Sequence, residues 1–388
     1  MHNDIIFSIF LIFSGAAALA TFALYTRQSL LVAYIILGIV LGPFGFKLIA
    51  DPVILKDIGD IGIIFLLFLL GLHLEPHNLL KTLKQTTIIT VLASIAFALV
   101  GYSVTLAGGF SQNDALIVGT AMMFSSTIIA LKLLPTTVLH HQRTGEIVIS
   151  ILLMQDIIAI FTLLILHGAS SGTLGWLALV RAFIALPLLI VFAFAVERFL
   201  LIKIAHRFSR IHEYLFLVAI GWCLGLGQLA EMMNLSFEIG AFVAGISIAQ
   251  SPIARFIAES LRPIRDFFLI LFFFSLGAKI HLSLISDIWL IALTLATLML
   301  VIKPVIFQVL LSKIAPSKGA GWEIGVRLGQ ISEFSLLVAY TAEKNQLISE
   351  AAYALIQFST IITFMVSSYW VVNRYPNPIA FSEKLRRD

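Results

Sequence analysis

Apolar stretches of about 20 residues recur along the whole chain, separated by short segments that hold most of its charge. A stretch of that length crosses a bilayer as a helix, and lipid leaves open backbone polar groups unsatisfied, so few other folds are open to it. Strict apolar-polar alternation is absent, which argues against a lipid-facing β-barrel. Of 388 residues, 60% are hydrophobic and 12% charged, where a soluble domain carries roughly 25% charged residues. Mean hydropathy is +1.04. A soluble enzyme, a nucleic-acid binder and a disordered regulator are thereby excluded. The lone Cys223 can form neither an internal disulfide nor a thiolate metal cluster. Met1-His2-Asn3-Asp4 lacks Lys and Arg, and no A-x-A site follows, so the apolar N-terminus reads as a retained first span.

The pattern predicts an all-α polytopic membrane protein of about 13 helices. They are Ile5–Tyr25, Ser29–Leu48 (interrupted at Gly42-Pro43), Ile58–Leu74, Thr86–Ala107, Asn113–Leu134, Glu146–His167, Leu174–Ile204, Glu213–Met233, Phe237–Ala249, Ile264–Ile280, Ser286–Ile314, Gly321–Ala342 and Ser349–Val372. With the N-terminus outside, 18 basic residues fall on the inner side. Lys47, Lys56, Arg181, Lys279 and Lys344 fall on the outer side. That asymmetry favours N-out, C-in and an odd number of spans.

A weak internal repeat has an offset near 206. Phe68-Leu69-Leu70-Gly71-Leu72 in the third span resembles Phe274-Ser275-Leu276-Gly277-Ala278 in the tenth. Ser126 falls opposite Ser332, and Gly42 parallels Gly245 at a slightly different offset. Each mate lies seven spans further on, so the two copies enter the membrane with opposite topology. Inverted repeats mark secondary transporters, whose sites lie where the copies meet.

Two charges stand deep in apolar helices. Asp156 lies near the middle of the sixth span, and Lys303 lies within the eleventh. Buried charge in a membrane is costly and demands a reason. A desolvated carboxylate needs a positive partner, which a proton, a metal cation or Lys303 can supply. Asp156 is therefore the candidate cation and proton carrier, with Lys303 a permanent clamp or a competitor. Gln155 offers a neutral ligand or donor beside it. Ser125, Ser126 and Thr127 can satisfy an unwound stretch and offer oxygen ligands, or bond back to the preceding turn. Their repeat mates lie in Gly329-Gln330-Ile331-Ser332-Glu333. Arg327 and Glu333 are six apart, so they pair only across a break or with other helices. Gln330 and Ser332 join them as candidates for an ion pair or gate. His140-His141 reads as a loop, and the G-x-S-x-G match at Gly168–Gly172 as chance. A cation channel remains an alternative, although no TVGYG-type filter is present. An intramembrane enzyme is a second alternative, although only one carboxylate stands in a strong context. No cofactor is expected.

Leu152-Leu153-Met154-Gln155-Asp156-Ile157 resembles the second monovalent cation:proton antiporter family, and within it the Kef-type potassium efflux systems. Gly38–Pro43, Phe68–Leu72, Phe273–Gly277 and Leu328–Phe334 support the resemblance over essentially the whole chain. Ile331-Ser332 departs from the usual Gly-Gln-Gly-Gly-Glu-Phe. The resemblance implies a bacterial inner-membrane homodimer with a 13-helix sodium/proton-antiporter-like fold. Dimerisation helices would cover approximately 5–74 and 213–280, a linker helix 174–204, and a transport core 86–167 and 286–372. Helices five and twelve would be broken and would cross near Asp156. The core would move like an elevator, exchanging K⁺ (or Na⁺) for H⁺. One carboxylate beside Gln155 suggests electroneutral exchange. Residues 373–388 would form a cytoplasmic tail. The cytosolic regulatory domain usual in such proteins is missing from this chain, and it would act near the inner loop Ser251–Asp266.

Overall fold

Where a backbone has no solvent to bond, it must bond itself. The computed structural model accordingly holds helices joined by turns, with no strand among the described residues. Described are residues 4–26, 28, 30–49, 61–62, 64–65, 67–69, 71–72, 76–133, 143–170, 175–208, 211–233, 235, 237–251, 254–278, 280, 285–315, 317 and 319–376. The elements are α1 (Asp4–Tyr25), α2 (Leu30–Leu41), α3 (Pro76–Ala107), α4 (Gln112–Ala121), α5 (Thr127–Lys132), α6 (Arg143–Ser170) and α7 (Gly175–Val196). A π-helical turn, Glu197–Leu201, joins α7 to α8 (Ile202–Arg207). Then come α9 (His212–Met232), α10 (Phe237–Ile248), α11 (Ala254–Ala278), α12 (Ile285–Leu310), α13 (Ala320–Arg327), α14 (Glu333–Lys344) and α15 (Glu350–Arg374).

Among the described residues, seven helical stretches are long and apolar enough to cross a membrane: those of α1, α3, α6, α7–α8, α9, α12 and α15. Two shorter apolar helices, in α2 and α10, accompany them. The expected third span, Ile58–Leu74, lies partly outside the described residues; those described within it are helical. His140-His141, part of Gly168–Gly172 and the tail beyond 376 also lie outside them.

Three expectations are corrected. Helix α3 starts at Pro76 rather than Thr86. Helix α11 starts at Ala254 rather than Ile264, so Ser251–Asp266 is mostly helix and not a loop. Its charged residues lower hydropathy without lowering helicity, and Pro263 is accommodated inside the helix. The fifth and twelfth spans are each two helices, as the resemblance implies, and not single ones as hydropathy alone reads them.

The chain divides into two compact units. The first comprises Met1–Ala16, Tyr34–His77 and Leu163–Lys279. It is built on close backbone approaches at glycine. A Cβ on Gly38 would strike the Phe274 carbonyl of α11, and one on Gly277 would strike the Ile35 carbonyl of α2. A Cβ on Gly71 would meet the Phe242 carbonyl of α10, and one on Gly245 the Phe68 carbonyl. The two crossings are related by the sequence repeat: Gly71 and Gly277 are mates, and α10 parallels α2. Trp222 of α9 donates to Ser247 Oγ of α10 at 3.1 Å.

The second unit comprises Ala17–Ala33, Asn78–Thr162 and Ile280–Asp388. Here α15 packs with α4, α12, α13 and α14, while α12 also packs with α13, and α14 with α4. Gly325 of α13 lies against Pro304 of α12, where a Cβ would run into backbone.

These packings predict the response to an added methyl group. Gly38→Ala and Gly245→Ala should each destabilise by about 1–3 kcal/mol through overpacking. Gly221 and Gly225 of α9 face open space, and Ala there should be neutral or slightly stabilising. Thermal melts of the purified variants test this; equal shifts at all four positions would contradict it.

Candidate functional site

Two helices of the second unit stop in mid-course. Helix α4 ends at Ala121 and α5 begins at Thr127; α13 ends at Arg327 and α14 begins at Glu333. Met122–Ser126 and Leu328–Ser332 are therefore five-residue breaks, 206 residues apart. Each break exposes carbonyls at one side and N–H groups at the other. Each following helix is capped by the serine that the repeat pairs. Ser126 Oγ accepts from Ile129 N at 3.1 Å, and Ser332 Oγ accepts from Phe334 N at 3.1 Å. Ser335 completes a capping box with Ser332 and also donates a short hydrogen bond to the Ala121 carbonyl.

Lys303 reaches both breaks. Its Nζ donates to the Phe124 carbonyl at 2.7 Å, to Ser125 Oγ at 3.3 Å and to the Gln330 carbonyl at 3.0 Å. It is fully buried and lies 5.2 Å from the Phe97 ring centroid. Helix C-termini carry negative partial charge, so an ammonium beside the carbonyl ends of α4 and α13 is well placed. Gln330 ties the breaks directly: its Nε2 donates to the Ser126 carbonyl at 3.4 Å, and its Oε1 accepts from Ser367 Oγ of α15 at 2.9 Å.

Asp156 lies on α6 and is 3% exposed. Thr127 Oγ1 donates to its two carboxylate oxygens at 3.3 and 3.5 Å. The anticipated pairing with Lys303 is absent among the described residues. Backbone carbonyls occupy the ammonium, so among the described residues Asp156 keeps a neutral donor and no paired cation. Gln155 is tied to the first break. Its Oε1 accepts from Ser125 N and its Nε2 donates to the Met123 carbonyl, both at 3.0 Å, so it braces the first break beside Asp156. Glu333, also buried, opens α14.

Arg327 does not pair with Glu333. It bonds Glu323 of its own α13 at 2.9 Å, one turn earlier, because the break separates it from α14. Ser125, Ser126, Thr127, Lys303, Gln330, Ser332 and Asp156 are brought together by the bonds above; Arg327 stands apart from them. Unforeseen contributors are Ser335, Ser367 and Thr363, the last accepting from Ile331 N at 3.0 Å. Their signal was present, as polar side chains in otherwise apolar helices. Among the described residues, no three His, Cys, Asp or Glu side chains gather as a metal site.

The sequence matches the family described as sodium/hydrogen exchanger, transmembrane, over residues 9–372. It is 32% identical over 357 residues to the glutathione-regulated potassium-efflux system protein KefC of an Enterobacter species, covering 89% of this chain and 56% of that one. It is 27% identical over 349 residues to the iron transporter MagA of Paramagnetospirillum magneticum, covering 89% and 80% respectively. The chain spans little more than half the length of that KefC protein. Among solved structures, the sodium proton antiporter MjNhaP1 of Methanocaldococcus jannaschii superposes with a TM-score of 0.71. The match covers 94% of this chain and 96% of that one at 16% identity, so it speaks to the fold.

The bonding of Lys303 predicts a structural role separable from Asp156. Lys303→Met leaves the Phe124 and Gln330 carbonyls without their donor and should cost about 2 kcal/mol or more. Asp156→Asn retains an acceptor for Thr127 and should melt close to wild type. Thermal melts of both variants check this; a Lys303→Met protein as stable as wild type would contradict it.

Proposed function

Since the chain belongs to the sodium/hydrogen exchanger transmembrane family, we propose that it is a multi-pass antiporter that exchanges K⁺, or alternatively Na⁺, for H⁺ at Asp156. The observation that carries this is the state of Asp156: buried, bonded by one neutral hydroxyl and, among the described residues, without a paired cation. Such a carboxylate must be balanced by a proton or a bound cation in turn. Thr127 Oγ1 and the Asp156 oxygens supply the hard oxygen donors that K⁺ and Na⁺ prefer. A proton and a monovalent cation exchanged at one carboxylate leave net charge unchanged, which supports electroneutral turnover. Gln155 does not titrate.

In this reading 13 spans form two inverted six-helix repeats about a linker, with the N-terminus outside and the C-terminus cytoplasmic. The identical 206-residue spacing of breaks and caps supports the repeat. Helices within 5–74 and 213–280 would form a homodimer, and 86–167 with 286–372 the transport core. Elevator-type movement of that core would carry Asp156 between the two faces of the bacterial inner membrane. K⁺ is preferred over Na⁺ because the KefC relative is named for potassium efflux.

Proteoliposomes with an internal pH dye test the proposal. Imposed K⁺ or Na⁺ gradients should drive proton movement with the wild type, and Asp156→Asn should lower the rate at least tenfold. No proton movement with either cation, or undiminished flux in the variant, would contradict the reading. Cation flux that persists in Asp156→Asn without proton movement would indicate a channel.

A further inference from the structure

Helix α15 is fastened at both ends by a single buried charge. At its N-terminus, Asp114 Oδ1 of α4 accepts from Ser349 N at 2.8 Å, while Oδ2 accepts from Ser111 Oγ at 2.9 Å. At its C-terminus the charge is Arg327, 2% exposed. Its Nε donates to Glu323 Oε1 at 2.9 Å, and its Nη1 to the Leu133 carbonyl just past α5 at 2.9 Å. Its Nη2 donates to the Pro376 carbonyl just past α15 at 3.0 Å, and the Tyr375 ring centroid lies 5.4 Å from the guanidinium carbon.

One guanidinium therefore holds three chain segments. Two are the ends of half-helices: Arg327 closes α13 beside the break Leu328–Ser332, and Leu133 closes α5. The third is the chain as it leaves the last span. The repeat does not require this node, since Arg327 falls opposite Ala121 at the 206-residue offset. It is an addition to one end of the unit. Between its two fastenings, α15 also touches the second break, through Thr363 to Ile331 N and Ser367 to Gln330.

We propose that Tyr375-Pro376, docked on Arg327, is a latch through which the chain leaving the last span sets the geometry of both broken helices. A buried guanidinium that loses one acceptor must turn toward another or admit water. Either change loosens its hold on Leu133 and on the end of α13. A partner or load acting on the chain beyond Pro376 would then alter the ion site without touching it. The effect on transport rests on the antiporter function proposed above; the docking and its structural reach do not.

Amide hydrogen exchange of the purified full-length protein, beside proteoliposome flux, tests the latch. The variants are Tyr375→Ala with Pro376→Gly, which removes the ring beside the guanidinium and frees the backbone that holds the Pro376 carbonyl on it, and Arg327→Lys and Arg327→Gln within the node. In the double variant, exchange at 122–126 and 328–332 should rise tenfold or more. Exchange in α9 and α10 should stay as in wild type, and cation-driven proton flux should change severalfold. Arg327→Lys should fall between wild type and Arg327→Gln. Unchanged exchange at the breaks, a rise spread equally over α9 and α10, or loosened breaks with unaltered wild-type-level flux would each overturn the latch. If wild type itself carries no exchange flux, the antiporter reading fails, and exchange at the breaks still decides whether the docking reaches them.

Discussion

An ion site inside a bilayer needs bare backbone oxygens and helix ends, which helices in lipid form to avoid exposing. Lys303 makes this tolerable. A compact ammonium carries three donors and no acceptor, and here each donor meets an acceptor in the two breaks. The charge that would be costly alone is spread over two carbonyls, a hydroxyl and an aromatic face. The same arrangement leaves Asp156 without a fixed counter-ion among the described residues. Lys303 and Asp156 thus stand apart rather than paired: the lysine ties the two breaks together, and the carboxylate is the group to which the proposed exchange is assigned.

The two broken helices match in position and in cap. Both breaks have the same length, the same spacing from their mates and a serine cap on the following helix. What differs between the copies is chemistry placed on a shared frame. Asp156 and Gln155 come from α6, Lys303 from α12, and Arg327 has Ala121 opposite it. Gln155 bonds the first break through both ends of its amide. Glu333, placed in the first turn of α14, is a second buried carboxylate of the unit.

Much of this was legible in the chain. Hydropathy located the long spans, and the improbable burial of Asp156 and Lys303 located the chemistry. The Ser126–Ser332 correspondence pointed to matched caps. Hydropathy failed where charge and helicity part company, as in α11, whose first turns carry arginines and Glu259 yet remain helical. It also failed at the breaks, because Met122–Ser126 is no less apolar than the helices around it. Pairing was the least legible property. Opposite charges at 156 and 303 suggested an ion pair, and those at 327 and 333 allowed one across a break. Backbone carbonyls released by unwinding compete for such cations, and they are invisible in a list of side chains. Ser335, Ser367 and Thr363 were overlooked for the same reason: their partners are the backbone and side chains of the breaks.

The central claim is that one site, Asp156, holds either a proton or a cation. Proton release on cation binding tests it most directly. Purified protein in weakly buffered detergent solution is titrated with K⁺, and in parallel with Na⁺, while the bulk pH is recorded. The account predicts that the transported cation displaces protons from the wild type, approaching one per chain, and displaces none from Asp156→Asn. Cation binding without proton release, or release that persists in Asp156→Asn, would contradict it.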